Sequence, residues 1–216
     1  MSKILISLSG GLDSATLLAL STSQGKEVFC VGFRYGSNHN KYEIEAAEKL
    51  AEYYKVPYSV IDLSGVFSRF KSNLLGGEIP EGHYEDKSMA LTVVPGRNII
   101  FTSVLAGYAA SEGIEEVGLG IHAGDHAIYP DCRPEFFLTM NSAVAAATDD
   151  KVCLCAPFLN LKKGQIVRVG LGLALPYELT RTCYKNQPIA CGKCGSCQER
   201  IEAFEYNFTP DPVRYM

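Results

Sequence analysis

The sequence predicts an α/β fold: a five-stranded parallel sheet flanked by helices, followed by a small C-terminal segment built on four cysteines. Three observations carry that reading. Short apolar runs alternate with amphipathic stretches through residues 1–175. A glycine turn, Ser9-Gly10-Gly11-Leu12-Asp13-Ser14, joins the first apolar run to the stretch behind it. Cys183, Cys191, Cys194 and Cys197 stand near the end, with two Cys-x-x-Cys steps sharing Cys194.

The first strand is expected over Lys3 to Leu8 and the first helix from Ala15 onward. A strand, a tight turn and a helix N-terminus gather backbone N–H groups around one point, which the helix dipole makes attractive to an anion. Gly10 and Gly11 allow a close approach to a phosphate, Ser9 and Ser14 add hydroxyls, and Asp13 suits magnesium. This is not a Walker A loop, because no Gly-Lys-Ser/Thr closes it. Glu27 to Phe33 reads as a second buried strand with Cys30 as a core thiol. Lys41 to Lys55 reads as a helix with Ile44, Ala47, Ala51 and Tyr54 on one face and a Glu45–Lys49 pair. Pro57 to Leu63 is the third strand. Strands alternating with helices predict parallel units with right-handed crossovers.

From Phe67 to Thr92 the pattern dissolves into a connection long enough to be a lid or binding loop. Val94-Pro95-Gly96-Arg97-Asn98 then opens a helix to about Ser111, with Asn98 as the expected N-cap and Arg97 placed to meet a phosphate or carboxylate. Glu116 to Ile121 is the fourth strand, Pro134 to Ala147 a helix, and Val152 to Phe158 the fifth strand, whose Cys153 and Cys155 read as core thiols. A last helix runs from Lys162 to Leu175, stopped by Pro176, and Lys163 at its start is placed to reach phosphates.

Between the fourth strand and its helix lies a loop rich in polar groups, His122 to Arg133, at the position where open parallel sheets bind ligands. His122, Asp125 and His126 are metal ligands by type, against a more favoured reading as hydrogen-bonded loop residues. Cys132 is a nucleophile by type, against a more favoured reading as a packed thiol. The four C-terminal cysteines read as a structural zinc site, because four soft ligands leave no open position.

Composition narrows the function classes. Hydrophobic residues make up 47% and charged residues 20%, as in a globular chain. A formal charge of −4 gives no basic field for nucleic acid, so no direct nucleic-acid partner is expected. No apolar run approaches the ~20 residues of a membrane span, and the N-terminal run meets Asp13 too soon for a signal peptide. Eight cysteines in such a chain point to metal ligands and buried thiols in a reducing compartment, hence a cytoplasmic protein.

The Ser9–Ser14 turn resembles the SGGxDS loop of the PP-loop ATP pyrophosphatases, whose Rossmann-like fold, that of the adenine nucleotide alpha hydrolases, holds ATP and releases pyrophosphate. Together with Tyr35-Gly36, Val94 to Asn98, Tyr129-Pro130-Asp131-Cys132-Arg133, Lys163, Thr182-Cys183-Tyr184 and the cysteine set, it resembles the QueC family of 7-cyano-7-deazaguanine synthases over nearly the whole chain. The sequence departs from the better-known form of that family, which carries Glu-Thr-Asp where this chain has Ala123-Gly124-Asp125.

The resemblance implies an ATP pyrophosphatase domain at 1–175 and a zinc-binding segment at 176–216. It implies ATP, Mg2+ and Zn2+ as cofactors, 7-carboxy-7-deazaguanine and ammonia as substrates, and a homodimer. Ser9, Gly10, Gly11, Leu12, Asp13, Ser14, Arg97, Asn98 and Lys163 would hold ATP. Asp125, Tyr129, Asp131 and Arg133 would face the deazaguanine, with Asp13, Lys163, Asp125 and Asp131 carrying the chemistry. Three rivals are weighed against it: another PP-loop enzyme acting on tRNA, a relative that delivers the activated deazaguanine to a protein or nucleic acid, and a non-catalytic zinc ribbon.

Overall fold

The computed structural model describes residues 1–216. Its sheet contains β1 (Lys3–Ser7), β2 (Glu27–Arg34), β3 (Tyr58–Asp62), β4 (Glu116–Gly118) and β5 (Cys153–Cys155), all parallel, in the order β3-β2-β1-β4-β5. Seven helices accompany it: α1 (Leu12–Ser23), α2 (Asn40–Tyr54), a single turn α3 (Ser64–Phe67), α4 (Arg97–Glu112), α5 (Pro134–Ala147), α6 (Lys163–Gly172) and α7 (Gly195–Glu205). No helix is long and apolar enough to cross a membrane.

The strand order explains why β1 reads as an unbroken apolar run. β1 is central, so both of its faces are covered. Successive side chains point to opposite faces. Leu5 joins a core with Val31 and Val117 of the sheet, Leu105 of α4 and Val144 of α5. Ile4 and Ile6 join the other core with Leu17 of α1, Leu50 of α2, Ile166 of α6 and Phe204 of α7. After β1 the chain turns one way to β2 and later the other way to β4. The crevice beyond the carboxyl ends of β1 and β4 is therefore the switch point at which such sheets bind ligands.

Several local expectations change. β4 and β5 are shorter than predicted, because irregular backbone takes over at Leu119 and Ala156. Cys30 is buried as a core thiol, but Cys153 is exposed and Cys155 only half-buried, since β5 is an edge strand. Glu45 pairs with Lys41 at 3.9 Å rather than with Lys49, and Ile44 turns from the helix stripe to the crevice. Residues 67–92 form no lid over the crevice and none of them lines it. Leu74, Ile79 and Met89 are buried instead, and Gly82 N–H donates to Lys193 O at 3.0 Å, which ties the segment to the cysteine region.

Gly10 is required by packing, and not only by a ligand. Its φ is +79°, and a Cβ there would lie 2.5 Å from Glu43 O and 2.7 Å from Ala47 N on α2. Backbone cannot yield as a flexible side chain does. Gly10→Ala is expected to cost about 3 kcal/mol from strain and overpacking. In a chain of this length that is roughly 6–12 °C in Tm. An unchanged melting temperature would show that α2 shifts freely.

Candidate active site

The crevice at the switch point is a cleft of about 210 Å³ with Ser9, Gly11, Asp13 and Ser14 on one wall. The glycine turn is held by its own hydroxyls. Gly11 N–H donates to Ser9 Oγ at 3.2 Å, Ser14 Oγ–H donates to Gly11 O at 3.2 Å, and the two hydroxyls lie 3.2 Å apart. α1 begins at Leu12 with no side chain capping it, so an anion is the natural partner of its first N–H groups. Gly120 lets the end of β4 close in, since a Cβ there would stand 3.3 Å from Ser14 N.

Lys163 crosses this floor from the start of α6. Its ammonium donates to Asp13 Oδ2 at 2.6 Å and lies 2.8 Å from His122 Nε2 and 3.3 Å from Glu199 Oε2. Burial opposes its charge, but Asp13, Glu199 and Asp125 outweigh that and hold the lysine above its usual range. Asp13 is reciprocally held below the usual carboxylate range: burial raises it, and the Lys163 and His122 charges overcome that. Asp13 Oδ1 is buried and has no partner.

His122 is fully buried behind the cleft. Its Nδ1 accepts from Gly124 N–H at 3.1 Å, and its Nε2 faces Asp125 Oδ2 at 3.3 Å. His122, Asp125 and Glu199 lie close enough together to hold a metal ion. The Lys163 ammonium, however, already contacts two of the three, so the cation position among them is filled by lysine. His126 stands apart from this trio.

Arg97, Asn98 and Cys132 line the opposite wall. The Arg97 guanidinium donates to Tyr35 Oη at 3.4 Å and lies 5.9 Å from that ring, with no carboxylate in ion-pair range. An uncompensated guanidinium facing a cleft is a receptor for an anion. Asn98 is not the helix cap. α4 starts at Arg97, and the Asn98 N–H is taken by Asp131 Oδ2 at 2.9 Å from the distant loop, while Asn98 Nδ2 donates to Asp131 O at 3.0 Å and Cys132 Sγ at 3.3 Å. Burial, then Asp125 and Asp131, push the Cys132 thiol well above its ordinary range, so it is a packed thiol and not a thiolate nucleophile.

The sequence-predicted residues therefore separate. Asp125 reaches the cleft with Ser9, Asp13, Ser14, Arg97 and Lys163. Gly10 bends the turn but does not line the cleft. Tyr129, Asp131 and Arg133 do not line it either. Tyr129 Oη bonds Thr92 Oγ1 at 2.8 Å, Asp131 fastens α4, and Arg133 Nε donates to His126 O at 2.8 Å.

Among the lining residues that escaped sequence reasoning are two charged ones, Arg181 and Glu199. Arg181 N–H donates to Gly10 O at 2.8 Å, and its guanidinium binds the carbonyls of Lys185, Gln187 and Pro188. Glu199 sits on α7, only 8% exposed, where burial raises its carboxyl despite Lys163. The signal for Glu199 was its place on a helix face shared with Ala203, where a charge has no reason to be buried without a task.

Beside the cleft, the four cysteines are buried and their sulfurs converge. Cys191 Sγ and Cys197 Sγ stand 3.9 Å apart, close to the ~3.8 Å edge of a tetrahedron with metal–sulfur bonds of about 2.3 Å. Backbone N–H groups of Lys193 and Cys194 point at Cys191 Sγ at 3.4 and 3.3 Å, as donors to a thiolate would. The donor set fits a soft divalent ion.

The chain is similar to known proteins along most of its length. The family model described as Queuosine biosynthesis protein QueC matches residues 3–208. The chain is 46% identical over 215 residues to 7-cyano-7-deazaguanine synthase 1 of Colwellia psychrerythraea, covering 99% of this chain and 98% of that one. It is 47% identical over 209 residues to the 7-cyano-7-deazaguanine synthase of Hahella chejuensis, covering 96% and 90%. Among solved structures, NMN synthetase from Francisella tularensis superposes with a TM-score of 0.52 at 17% identity, over 96% of this chain and 77% of that one. A predicted subunit of tRNA methyltransferase from Methanocaldococcus jannaschii gives 0.54 at 13% identity, over 80% and 76%. These two likenesses speak to the fold alone.

Proposed function

The chain belongs to the QueC family, and from that premise we propose that it is a 7-cyano-7-deazaguanine synthase, converting 7-carboxy-7-deazaguanine, ammonia and ATP to the nitrile. The observation that carries the reading is the family match over residues 3–208, which includes both walls of the cleft.

A carboxylate resists attack by ammonia, so its oxygen first takes AMP from ATP and pyrophosphate departs. The nitrogen lone pair then attacks the acyl carbon, AMP leaves, and one N–H proton is lost. The amide oxygen is adenylated in turn, with loss of a second N–H proton. Expulsion of AMP and the last N–H proton leaves the carbon–nitrogen triple bond.

The N–H groups at the start of α1, with Ser9 and Ser14, cradle the pyrophosphate, and Lys163 swings from Asp13 to neutralise it. The orphaned Asp13 Oδ1 fits Mg2+, which supplies charge neutralisation on the phosphates when bound. Arg97, lacking a carboxylate of its own, orients the substrate carboxylate against the α-phosphorus. Asp125 faces the deazaguanine or takes N–H protons. The four cysteines hold Zn2+ as a structural ion.

Incubating the protein with 7-carboxy-7-deazaguanine, an ammonium salt and ATP, with mass analysis of the products, tests the assignment. The nitrile and one AMP for each activation are expected; AMP without nitrile would overturn it.

We further read residues 1–175 as the ATP pyrophosphatase domain with 176–216 as its metal-bound appendage, in a cytoplasmic homodimer. The cytoplasm is supported by eight free thiols. The dimer is supported by α5, an apolar helix that buries only Val144 and leaves Leu138 65% exposed. Leu138→Arg is expected to shift the protein from dimer to monomer in analytical ultracentrifugation; a monomeric wild type would refute the assembly.

A further inference from the structure

Glu199 is more than nine-tenths buried, lines the cleft and accepts no hydrogen bond; its one contact with a cation is the Lys163 ammonium at 3.3 Å. A carboxylate taken from water without donors is costly, and it persists where a cationic donor is supplied. Lys163 supplies it in the resting protein. The same ammonium group is held by Asp13 at 2.6 Å and stands 2.8 Å from His122 Nε2, whose ring lies 3.3 Å from Asp125. Three carboxylates, Asp13, Asp125 and Glu199, thus gather around the Lys163 ammonium and the His122 ring beside it.

This balance changes when a polyanion enters. Lys163 turns toward the phosphates, and the Glu199 carboxylate is left facing the cleft without its cation, with Asp125 close by. Gly124 keeps the space open on that side, because a Cβ there would stand 2.7 Å from Glu199 Oε1 and 3.0 Å from the His122 ring. A small cation with several N–H donors fits where the lysine ammonium has been.

We infer that Glu199, with Asp125, forms the binding site for the ammonium substrate, and that the Lys163 –NH3+ group occupies this site until ATP binds; one of the two carboxylates takes a proton from the bound NH4+, leaving NH3 with the lone pair that attacks the adenylated carbon. The proposal rests on the synthase reading and adds the location of the nitrogen donor. It also gives the reaction an order, in which the nitrogen site opens only once the phosphates have drawn Lys163 away.

The test is the dependence of nitrile formation on ammonium chloride at fixed pH, with saturating ATP and 7-carboxy-7-deazaguanine. Glu199→Gln keeps the shape and removes the charge. It is expected to raise the KM for ammonium about tenfold or more, the loss of one charge-assisted hydrogen bond. The KM values for ATP and the carboxylic acid should move less than twofold, and high ammonium should restore kcat. Glu199→Asp should recover part of the affinity. Gly124→Ala, whose Cβ would press on Glu199 Oε1 and the His122 ring, should raise the ammonium KM in the same direction while leaving the charge in place, and it keeps the proposal testable if Glu199→Gln folds poorly.

An unchanged ammonium KM with lowered kcat, or equal shifts in all three KM values, would overturn the site and make Glu199 a general structural or substrate-edge residue. A wild-type protein that forms no nitrile would instead overturn the synthase reading, and the ammonium site with it.

Discussion

Replacing Lys163 by methionine is expected to lower both adenylation steps by about 10²- to 10³-fold in kcat, the range for one preorganised charge on a developing anion. Methionine preserves the length of the stem and much of its packing in α6, so the loss isolates the ammonium group. The effect should appear as slower pyrophosphate release from the carboxylic acid and from the amide alike, because the same lysine serves both activations. Stability should fall as well. Asp13 and Glu199 would be left in a buried site without their cation, a change that typically costs about 3–5 kcal/mol. Added ATP should not rescue the variant, since the phosphates bring more negative charge to the same place. Pyrophosphate release within threefold of wild type would show that Lys163 serves the fold and not the phosphates.

Much of this site was legible in the residues, for identifiable reasons. The turn at Ser9–Ser14 and Lys163 are local signals, each read from a strand end or helix start a few residues away. Arg97 and Asp125 were legible as loop residues next to strand ends. What the sequence did not disclose depends on long-range packing. Glu199 follows Cys197 by two residues, yet it reaches Lys163 only because α7 packs on α6, which in turn packs on α1. The resemblance implies Asp131 as a substrate residue; in the fold its carboxylate takes the Asn98 N–H that a helix start leaves free, a contact no local pattern announces. Gly10 looked like a phosphate glycine, whereas the crowding at its α-carbon comes from α2. Spacing alone distinguishes neither case. The exposed Cys153 follows from strand order, since the last strand of five lies at an edge and a chain with no strand order reads it as central.

The cysteine cluster carries the second large expectation. The zinc proposed there would do more than close a loop, because Cys194 is the N-cap of α7 and Cys197 lies in its first turn. That helix has few apolar contacts of its own; Ala203 and Phe204 are its buried hydrophobic side chains beyond the cysteine. It contributes Glu199 to the cleft and Arg200 to a buried ion pair with Asp211 at 2.7 Å, supported by Thr180 and Thr182. Without a metal the cysteines take up protons and lose their common partner, and the start of α7 has nothing to fix it. Unfastening it breaks the Arg200–Asp211 pair, a loss of about 3–5 kcal/mol. In a chain of this length that corresponds to roughly 6–20 °C in Tm. Stripping the protein with a strong chelator, or introducing Cys194→Ser, should therefore lower the melting temperature by that amount and open the chain to protease at Lys185 and Lys193. Nitrile formation should fall by at least about 10²-fold, since the wall that carries Glu199 goes with the helix. β1 and α1 form the pyrophosphate cradle without residues of α7, so weak ATP binding should survive the treatment. Elemental analysis should give one zinc per chain before chelation and none after. Full activity and an unchanged Tm in the metal-free protein would mean that packing alone holds α7, and that the thiols are a passive cluster.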